Sequence, residues 1–486
     1  MNRRRFVGSM LGATGTMALS ELGLRAQGRK LNFIFILIDD LGWTDLGCFG
    51  SDLYETPNID RLAQQGMKFT DAYSACTVCS PTRASVMTGK YPARLHVTDW
   101  IHGHKRPYAK LAIPEWTEYL PLEEVTIAEA LKAAGYATCH IGKWHLGYEE
   151  RWPDKQGFDV NIGGYHRGQP PSYFSPYNIP SLEDGPKGEY LTDREAGEAC
   201  QFIESNEDRP FFLYLPHYAV HTPLQAKKEL IDEYQAKIKP GMRHTNPTYA
   251  AMIHSVDDSV GRIMATLERL GIAGRTVIFF TSDNGGLVRN GVTDNSPLRV
   301  GKGSAYEGGV RVPLIAKWPG VSPAGSVCHE PVISADFYPT ILEMAGAVGD
   351  PKHNADVDGE SIAPLLRAPS GELQRDAMYW HYPHYHPGGA TPHAAIRARD
   401  WKLIQFYEDM RVELYNLKED VGEQNDLAAK MSRKADELRQ RLHAWREAVG
   451  AQMPAPNPDY DPERAHLRPG RERKPTSSEQ KAKGEK

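Results

Sequence analysis

Phe33-Ile34-Phe35-Ile36-Leu37-Ile38-Asp39-Asp40 is an unbroken apolar run closed by two carboxylates. A stretch like this, with no polar alternation, is the pattern of a strand buried on both faces. Such strands belong to parallel sheets covered by helices on either side. Outward from it the chain keeps alternating between short apolar runs and helical spacing. Asn58 to Gly66 reads as a short helix ended by glycine, and Thr126 to Ala134 as another, capped by Thr126 and stopped at Gly135, with Ala137 to Ile141 as the next strand. Residues 192–205 look helical and lead into Phe211-Phe212-Leu213-Tyr214-Leu215. Met252, Ile253, Val256, Val260, Ile263, Leu267 and Leu270 recur at helical intervals and run into the buried strand Thr276 to Phe280. This alternation predicts an α/β fold with a large, mostly parallel central sheet flanked by helices.

Past about residue 370 the texture changes. Trp380 to His393 reads as a loop rich in His, Tyr, Pro and Gly, Ala395 to Phe406 and Val412 to Tyr415 as strands, and Asp426 to Val449 as a polar amphipathic helix stopped by Gly450. Residues 371–450 are therefore expected to form a smaller C-terminal α+β subdomain carrying an antiparallel sheet, following a main domain over 27–370. Residues 451–486 hold many prolines and charges with almost no apolar side chains and read as a disordered tail. At the other end stand Asn2-Arg3-Arg4-Arg5-Phe6-Val7, a Gly/Ala/Ser-rich apolar stretch from Gly8 to Leu24, and then Leu24-Arg25-Ala26. Residues 1–26 read as a twin-arginine-type signal peptide, which predicts an exported protein, periplasmic or extracellular.

With 486 residues, 40% hydrophobic and 24% charged, the chain is neither disordered, collagen-like nor a disulfide-dense miniprotein. Fifty-seven Lys+Arg against 62 Asp+Glu leave a net charge of −5, which argues against a nucleic-acid partner. Beyond the N-terminus no apolar run is long enough to span a bilayer, so no stable membrane insertion is expected. Positive charge beside any anion-handling site must then be gathered locally. The six cysteines are scattered, and only Cys76 and Cys79 stand close together. Their C-x-x-C spacing suits a redox pair or a zinc site, but no second C-x-x-C or H-x-x-x-H partner supports zinc.

Two strand ends carry chemistry. The first buried strand ends in Asp39-Asp40, and the strand at 276–280 runs into Ser282-Asp283-Asn284-Gly285-Gly286. In open α/β sheets ligands bind outside the carboxyl ends of the strands. Two ends that each present Asp/Asn oxygens form a cage for a hard divalent cation, Ca²⁺ ahead of Mg²⁺ and both ahead of zinc. A second signal is Cys79-Ser80-Pro81-Thr82-Arg83, followed by Thr88-Gly89. Pro81 suits a first helical turn, and Thr88-Gly89 a helix end. Cys79 then sits at a helix N-terminus, where free N–H groups favour an anion, with Arg83 one turn on along the same face.

Cys79-Ser80-Pro81-Thr82-Arg83 with Thr88-Gly89 resembles the signature of the formylglycine-dependent (type I) sulfatases of the alkaline-phosphatase superfamily. Asp39-Asp40 matches that family's first metal pair and Asp283-Asn284 its second. Gly142-Lys143-Trp144-His145-Leu146-Gly147 matches its Gly-Lys-Trp-His motif, and His221-Thr222-Pro223 its later histidine. Gly301-Lys302-Gly303, ahead of Glu307-Gly308-Gly309, matches its last active-site lysine. Thr82 stands where many members carry serine, and Val86-Met87 where Leu-Leu is commoner. The resemblance implies that Cys79 is oxidised by a formylglycine-generating maturation enzyme and that its hydrated aldehyde is the nucleophile. It implies one Ca²⁺ on Asp39, Asp40, Asp283 and Asn284, with Arg83 steadying the nucleophile and Lys143 and Lys302 holding the sulfate. His221 is then the acid for the departing alcohol, and His145 takes the proton that lets sulfate leave. The implied substrate is a sulfated carbohydrate attacked from its end, with galactose or N-acetylgalactosamine sulfate foremost.

Substrate contacts are expected from loops rich in aromatic and histidine side chains. Trp100, His102, His104, His166 and Arg167 have such surroundings, as do His384 and His386 within the cluster His381, His384, His386 and His393. Of these, Trp100, His104, His166, Arg167, His384 and His386 are the substrate-binding candidates. Pro383 and Pro387 argue against a metal site in the cluster, and His217, at the end of an apolar strand, reads as structural. Three rivals remain: a phosphate or phosphonate monoester hydrolase of the same superfamily, a non-catalytic glycan-binding relative, and a redox protein using Cys76 and Cys79 as exposed thiols.

Overall fold

The computed structural model describes residues 30–468. In chain order the first strands are β1 (Asn32–Ile38), β2 (Met67–Tyr73), β3 (Leu111–Ala112), β4 (Ala137–Ile141), β5 (Val160–Ile162), β6 (Phe211–Pro216) and β7 (Thr276–Ser282). They are followed by β8 (Arg311–Lys317), β9 (Ser326–Cys328) and β10 (Val332–Ile333). All but β3 join one nine-stranded sheet in the order β10-β2-β8-β7-β1-β6-β4-β5, with β9 also paired to β2. Among these strands only β8 runs against its neighbours; β1, β4, β5, β6 and β7 are mutually parallel. The apolar run thus forms the middle strand of a mostly parallel sheet, and every residue of it is buried.

Helices cover both faces because β1 presents apolar side chains to both. Ile34, Ile36 and Ile38 pack with the helices Pro57–Gln65, Leu191–Ser205 and Pro247–Arg269. Phe33, Phe35 and Leu37 pack with the helices Cys79–Thr88, Ile127–Ala133 and Phe337–Ala345. Thr126 caps Ile127–Ala133 in a reciprocal box with Glu129, so two backbone donors at the helix start are satisfied.

The C-terminal part carries a separate four-stranded antiparallel sheet, β11 (Met378–Tyr382), β12 (His393–Ala398), β13 (Trp401–Phe406) and β14 (Val412–Asn416), in that order. The helix Ser432–Ala448 lays Leu438 and Leu442 on it. Two expectations are corrected. Trp380, His381 and Tyr382 lie in a strand rather than a loop, paired with Ala395, Ala394 and His393; Pro383 ends that strand instead of interrupting it. The helix starts at Ser432 and not at Asp426, whose carboxylate is engaged by the backbone N–H groups of Leu414 and Ala428.

Residues 451–468 also depart from the disorder expected of them. Ala455–Pro456 (β15) pairs antiparallel with β3, the Asn457 amide donates to the carbonyls of Pro107 and Ala109, and the Arg464 guanidinium sits 3.5 Å over the Tyr108 ring. These anchors are polar and cation–π contacts, to which a count of apolar residues is blind. The signal peptide expected over 1–26 and the tail from 469 lie outside the described residues. Among the described residues no helix is long and apolar enough to cross a membrane.

Candidate active site

Parallel pairing of β1 with β7 sets Ile38 opposite Ser282, so Asp39-Asp40 and Asp283-Asn284 leave the sheet side by side at its carboxyl edge. The Asp283 amide bonds the Ile38 carbonyl, and the Asp40 amide bonds the Asp283 carboxylate. On the other flank the chain after β6 is tied down by two bonds between Asp39 and Ala219-Val220, which brings His221 alongside. Asp40 turns away from the strand through a left-handed backbone, φ 63°, a conformation that Asp tolerates better than most residues.

Cys79 opens its helix as expected: Val78 is the extended N-cap residue, and Gly89 closes the helix at φ 73°. The whole helix is buried, so Arg83 reaches inward and spends its guanidinium on internal partners. Its Nε and one terminal nitrogen donate to Asp283 Oδ2 at 2.9 and 2.7 Å, and the other donates to the Lys143 carbonyl at 2.8 Å. Lys143 follows Gly142 at φ 108°, where a Cβ would stand 2.2 Å from the Pro216 carbonyl oxygen. Only glycine allows that close approach, which delivers Lys143 Nζ to within 2.6 Å of Asp39 Oδ2. Lys302 Nζ meets Asp40 Oδ1 at 2.6 Å, and Asn284 Nδ2 donates to the same oxygen at 2.8 Å.

Three cations therefore face three carboxylates in a dry setting, and a divalent ion added to them would leave the centre strongly positive. The donor set fits such an ion. Asp39 Oδ1 and Asn284 Oδ1 are buried with no hydrogen-bond partner among the described residues, which is costly for oxygens. Burial and the neighbouring Asp283 push the Asp39 carboxyl up to about 8 despite the pull of Lys143. This is the signature of crowded carboxylates that a cation would relieve. Asp40 is also opposed by burial, yet Lys302 and His221 hold it below the usual carboxylate range. Asp39, Asp40 and His221 can each bring a ligand atom to within 4.8 Å of the others.

Above this centre lies a cavity of about 600 Å³ lined by Cys79, Trp100, Ile101, His102, His145, His166 and Arg167, the segment Gly168–Pro171, and His221, Lys302 and His386. Among the described residues, no carboxylate lines it. His145 Nδ1 is 3.4 Å from Cys79 Sγ, and its Nε2 is 2.5 Å from the Ile101 carbonyl. A carbonyl only accepts, so Nε2 carries the proton and Nδ1 offers its lone pair to residue 79. Burial, reinforced by Lys143, keeps this ring neutral. His221 donates Nδ1–H to the Thr222 carbonyl and turns Nε2 toward Asp40 at 3.7 Å. Burial and Lys302 push it down to about 3, against the pull of Asp40.

All ten residues expected for catalysis and metal binding thus converge at one end of the sheet. Lys143 and Arg83 contact carboxylates and are not among the residues that line the cavity; of the three cations of this centre it is Lys302 that lines it. Of the six substrate-contact candidates, Trp100, His166, Arg167 and His386 line the cavity. His104 and His384 do not. His104 accepts from Arg106 Nε and stacks on Trp100, while His384 is fully buried, bonded to Thr98 Oγ1 at 2.8 Å and set edge-on to Trp116. His381, bonded to Tyr407 and the Gln452 carbonyl, and His217, held by Glu195 and Ser259, are structural too. The sequence carried no signal for Ile101 or for the segment Gly168–Pro171. Cys76 and Cys79 are both buried, and burial pushes the Cys76 thiol up to about 12 and the Cys79 thiol above its ordinary value. An exposed redox pair is ruled out on that ground.

Residues 31–347 match the sulfatase family model, and residues 300–448 match that of the N-sulphoglucosamine sulphohydrolase C-terminal region. The chain is 35% identical to a sulfatase of Formosa agariphila, with 86% of this chain and 89% of that protein aligned. It is 34% identical to the N-acetylgalactosamine-6-sulfatase of Sus scrofa, over 81% and 77% of the two chains. Among solved structures it superposes on Ps i-CgsB in complex with k-i-k-neocarrahexaose with a TM-score of 0.72 and 32% identity, covering 86% of this chain and 93% of the other.

Proposed function

Because the chain belongs to the sulfatase family and is a sulfuric ester hydrolase, we propose that it removes sulfate from the end of a sulfated carbohydrate, using a formylglycine made from Cys79 and one Ca²⁺. The observation that carries this reading is the carboxylate-free cavity whose floor joins Cys79, His145, His221 and Lys302. Galactose or N-acetylgalactosamine sulfate is the foremost candidate, supported by the names of relatives. The twin-arginine-type N-terminus supports export, and Cys79-Ser80-Pro81-Thr82-Arg83 supports encounter with a formylglycine-generating maturation enzyme.

Asp39, Asp40, Asp283 and Asn284 would hold the ion; four oxygen donors, three of them anionic, suit calcium better than a transition metal. Calcium bound there supplies neutralisation of charge on the ester oxygens. A formylglycine at position 79 supplies, as its hydrate, one hydroxyl to attack sulfur and a second through which sulfate can be expelled. The chain's own residues do the rest. Arg83 fixes Asp283, and Lys143 fixes Asp39, which holds the donor oxygens in place. Lys302 faces the anionic ester from the cavity side. His221 Nε2 protonates the leaving alcohol in the first half of the cycle, an ester anion beside it countering the depression of its pKa. His145 Nδ1 takes the proton from residue 79 in the second half, when sulfate departs. Each transfer is worth about 10²–10⁴-fold.

The decisive assay is release of inorganic sulfate from sulfated galactose and N-acetylgalactosamine mono- and oligosaccharides, run beside matched phosphate and phosphonate esters. The reading predicts turnover of a sulfated sugar with kcat/KM far above that of any phosphorus ester. Preference for phosphate or phosphonate esters would overturn it. Within the cavity, His386→Ala should raise KM by about tenfold, roughly 1.4 kcal/mol of binding. His384→Ala, only two residues away, should leave KM unchanged and cost about 2 kcal/mol of stability in a denaturant titration.

A further inference from the structure

His145 is gripped from three sides by groups to which the mechanism assigns no role. The Ser80 hydroxyl, wholly buried, donates to the His145 carbonyl at 2.9 Å and accepts from the Ile101 N–H at 3.3 Å. The Ile101 carbonyl in turn takes the His145 Nε2 proton. One hydroxyl therefore ties the backbone of the histidine to the residue that fixes its tautomer. On the open flank Gly168 lies flat on the imidazole: a Cβ there would stand 2.4 Å from His145 Cε1 and 2.8 Å from Nδ1. His145 itself sits on a left-handed backbone, φ 59°, and its N–H is held by the carbonyl of Tyr165, the residue immediately before the His166-Arg167-Gly168 segment. With Nε2 engaged, the ring has one direction left for Nδ1, and that direction is residue 79.

We infer that Ser80 and Gly168 are positioning residues for the base His145, setting the distance and angle from Nδ1 to position 79. The inference rests on the proposed role of His145 in the second half of the cycle. A proton transfer falls off steeply when its donor and acceptor move by an ångström or less, so loosening either grip slows the step that His145 serves and leaves the first half alone. The Ser80→Ala change deprives a buried N–H and a buried carbonyl of their partner. Gly168→Ala keeps every hydrogen bond and pushes the ring instead. Two chemically unrelated changes should thus produce one kinetic signature.

The test uses the matured, calcium-loaded enzyme and a chromogenic sulfate ester. Formylglycine content at position 79 is measured by peptide mass, and rates are normalised to it. For both variants kcat is expected to fall about tenfold and KM with it, leaving kcat/KM for alcohol release within about twofold of the parent, because kcat/KM reports only events up to the first irreversible step. A burst of alcohol equal to the active enzyme should appear before the slow steady state. Ser80→Thr, which retains the hydroxyl, should recover most of kcat. An equal fall in kcat and kcat/KM without a burst would mean that the two residues only maintain the fold, and would overturn the proposal, as would an unchanged kcat in both variants. Failure of the formylglycine reading is distinguished by an unmodified Cys79 in the parent protein itself.

Discussion

Replacing Cys79 with alanine should lower kcat by at least about 10⁴-fold, the scale on which enzymes lose activity with their covalent nucleophile. The protein should stay folded, since Cys79 makes no disulfide and its sulfur makes only a 3.4 Å contact with His145 Nδ1 as a side-chain hydrogen bond among the described residues. Cys79→Ser separates two contributions. A serine hydroxyl can attack sulfur once but has no second hydroxyl from which sulfate can be expelled. The serine variant should therefore release no more than one equivalent of alcohol per enzyme and then stop. Steady turnover by Cys79→Ala would exclude residue 79 as the nucleophile.

Removing the metal should have the second-largest effect. Dialysis against a calcium chelator is expected to abolish turnover and to lower the melting temperature, with both restored by Ca²⁺ and neither fully by Mg²⁺. A ligand present at about 1,000 times its dissociation constant stabilises the folded state by roughly 4 kcal/mol, which sets the scale of the thermal shift. The orphaned oxygens of Asp39 and Asn284 are the structural reason to expect it. Asp283→Ala should be harsher, because it leaves the Arg83 guanidinium buried without its main partner, at a cost of about 3–5 kcal/mol. Asp283→Asn retains an oxygen for the Arg83 donors and should fold better while still losing activity. Full activity and an unchanged melting temperature after chelation would contradict the metal assignment.

Much of this was legible in the sequence because burial on both faces leaves a plain mark. Phe33–Ile38 and Thr276–Phe280 carry no polar alternation, and their shared place in the sheet follows from that, as does the pairing of Asp39-Asp40 with Asp283-Asn284. The Cys79 helix announced both its ends through Pro81 and Gly89. What stayed hidden depends on distant partners. Trp380-His381-Tyr382 looks like loop beside Pro383, and only the facing strand His393–Ala398 makes it a strand. His384 and His386 are alike in composition, yet one packs against Trp116 and the other opens onto the cavity. The anchoring of residues 451–468 rests on Tyr108 and on the carbonyls of Pro107 and Ala109, more than 340 residues away. No local pattern could show these, because each is decided by what the fold brings opposite.

The most direct measurement is the mass of the tryptic peptide Phe69–Arg83 from protein matured in its own host or beside a formylglycine-generating enzyme. This peptide contains both Cys76 and Cys79, so one cysteine is the internal control for the other. Sulfur is expected to be lost at position 79 alone, with an aldehyde that reacts with a hydrazide in its place, while Cys76 remains a thiol. An intact thiol at position 79, in cells where an established sulfatase is converted, would contradict it.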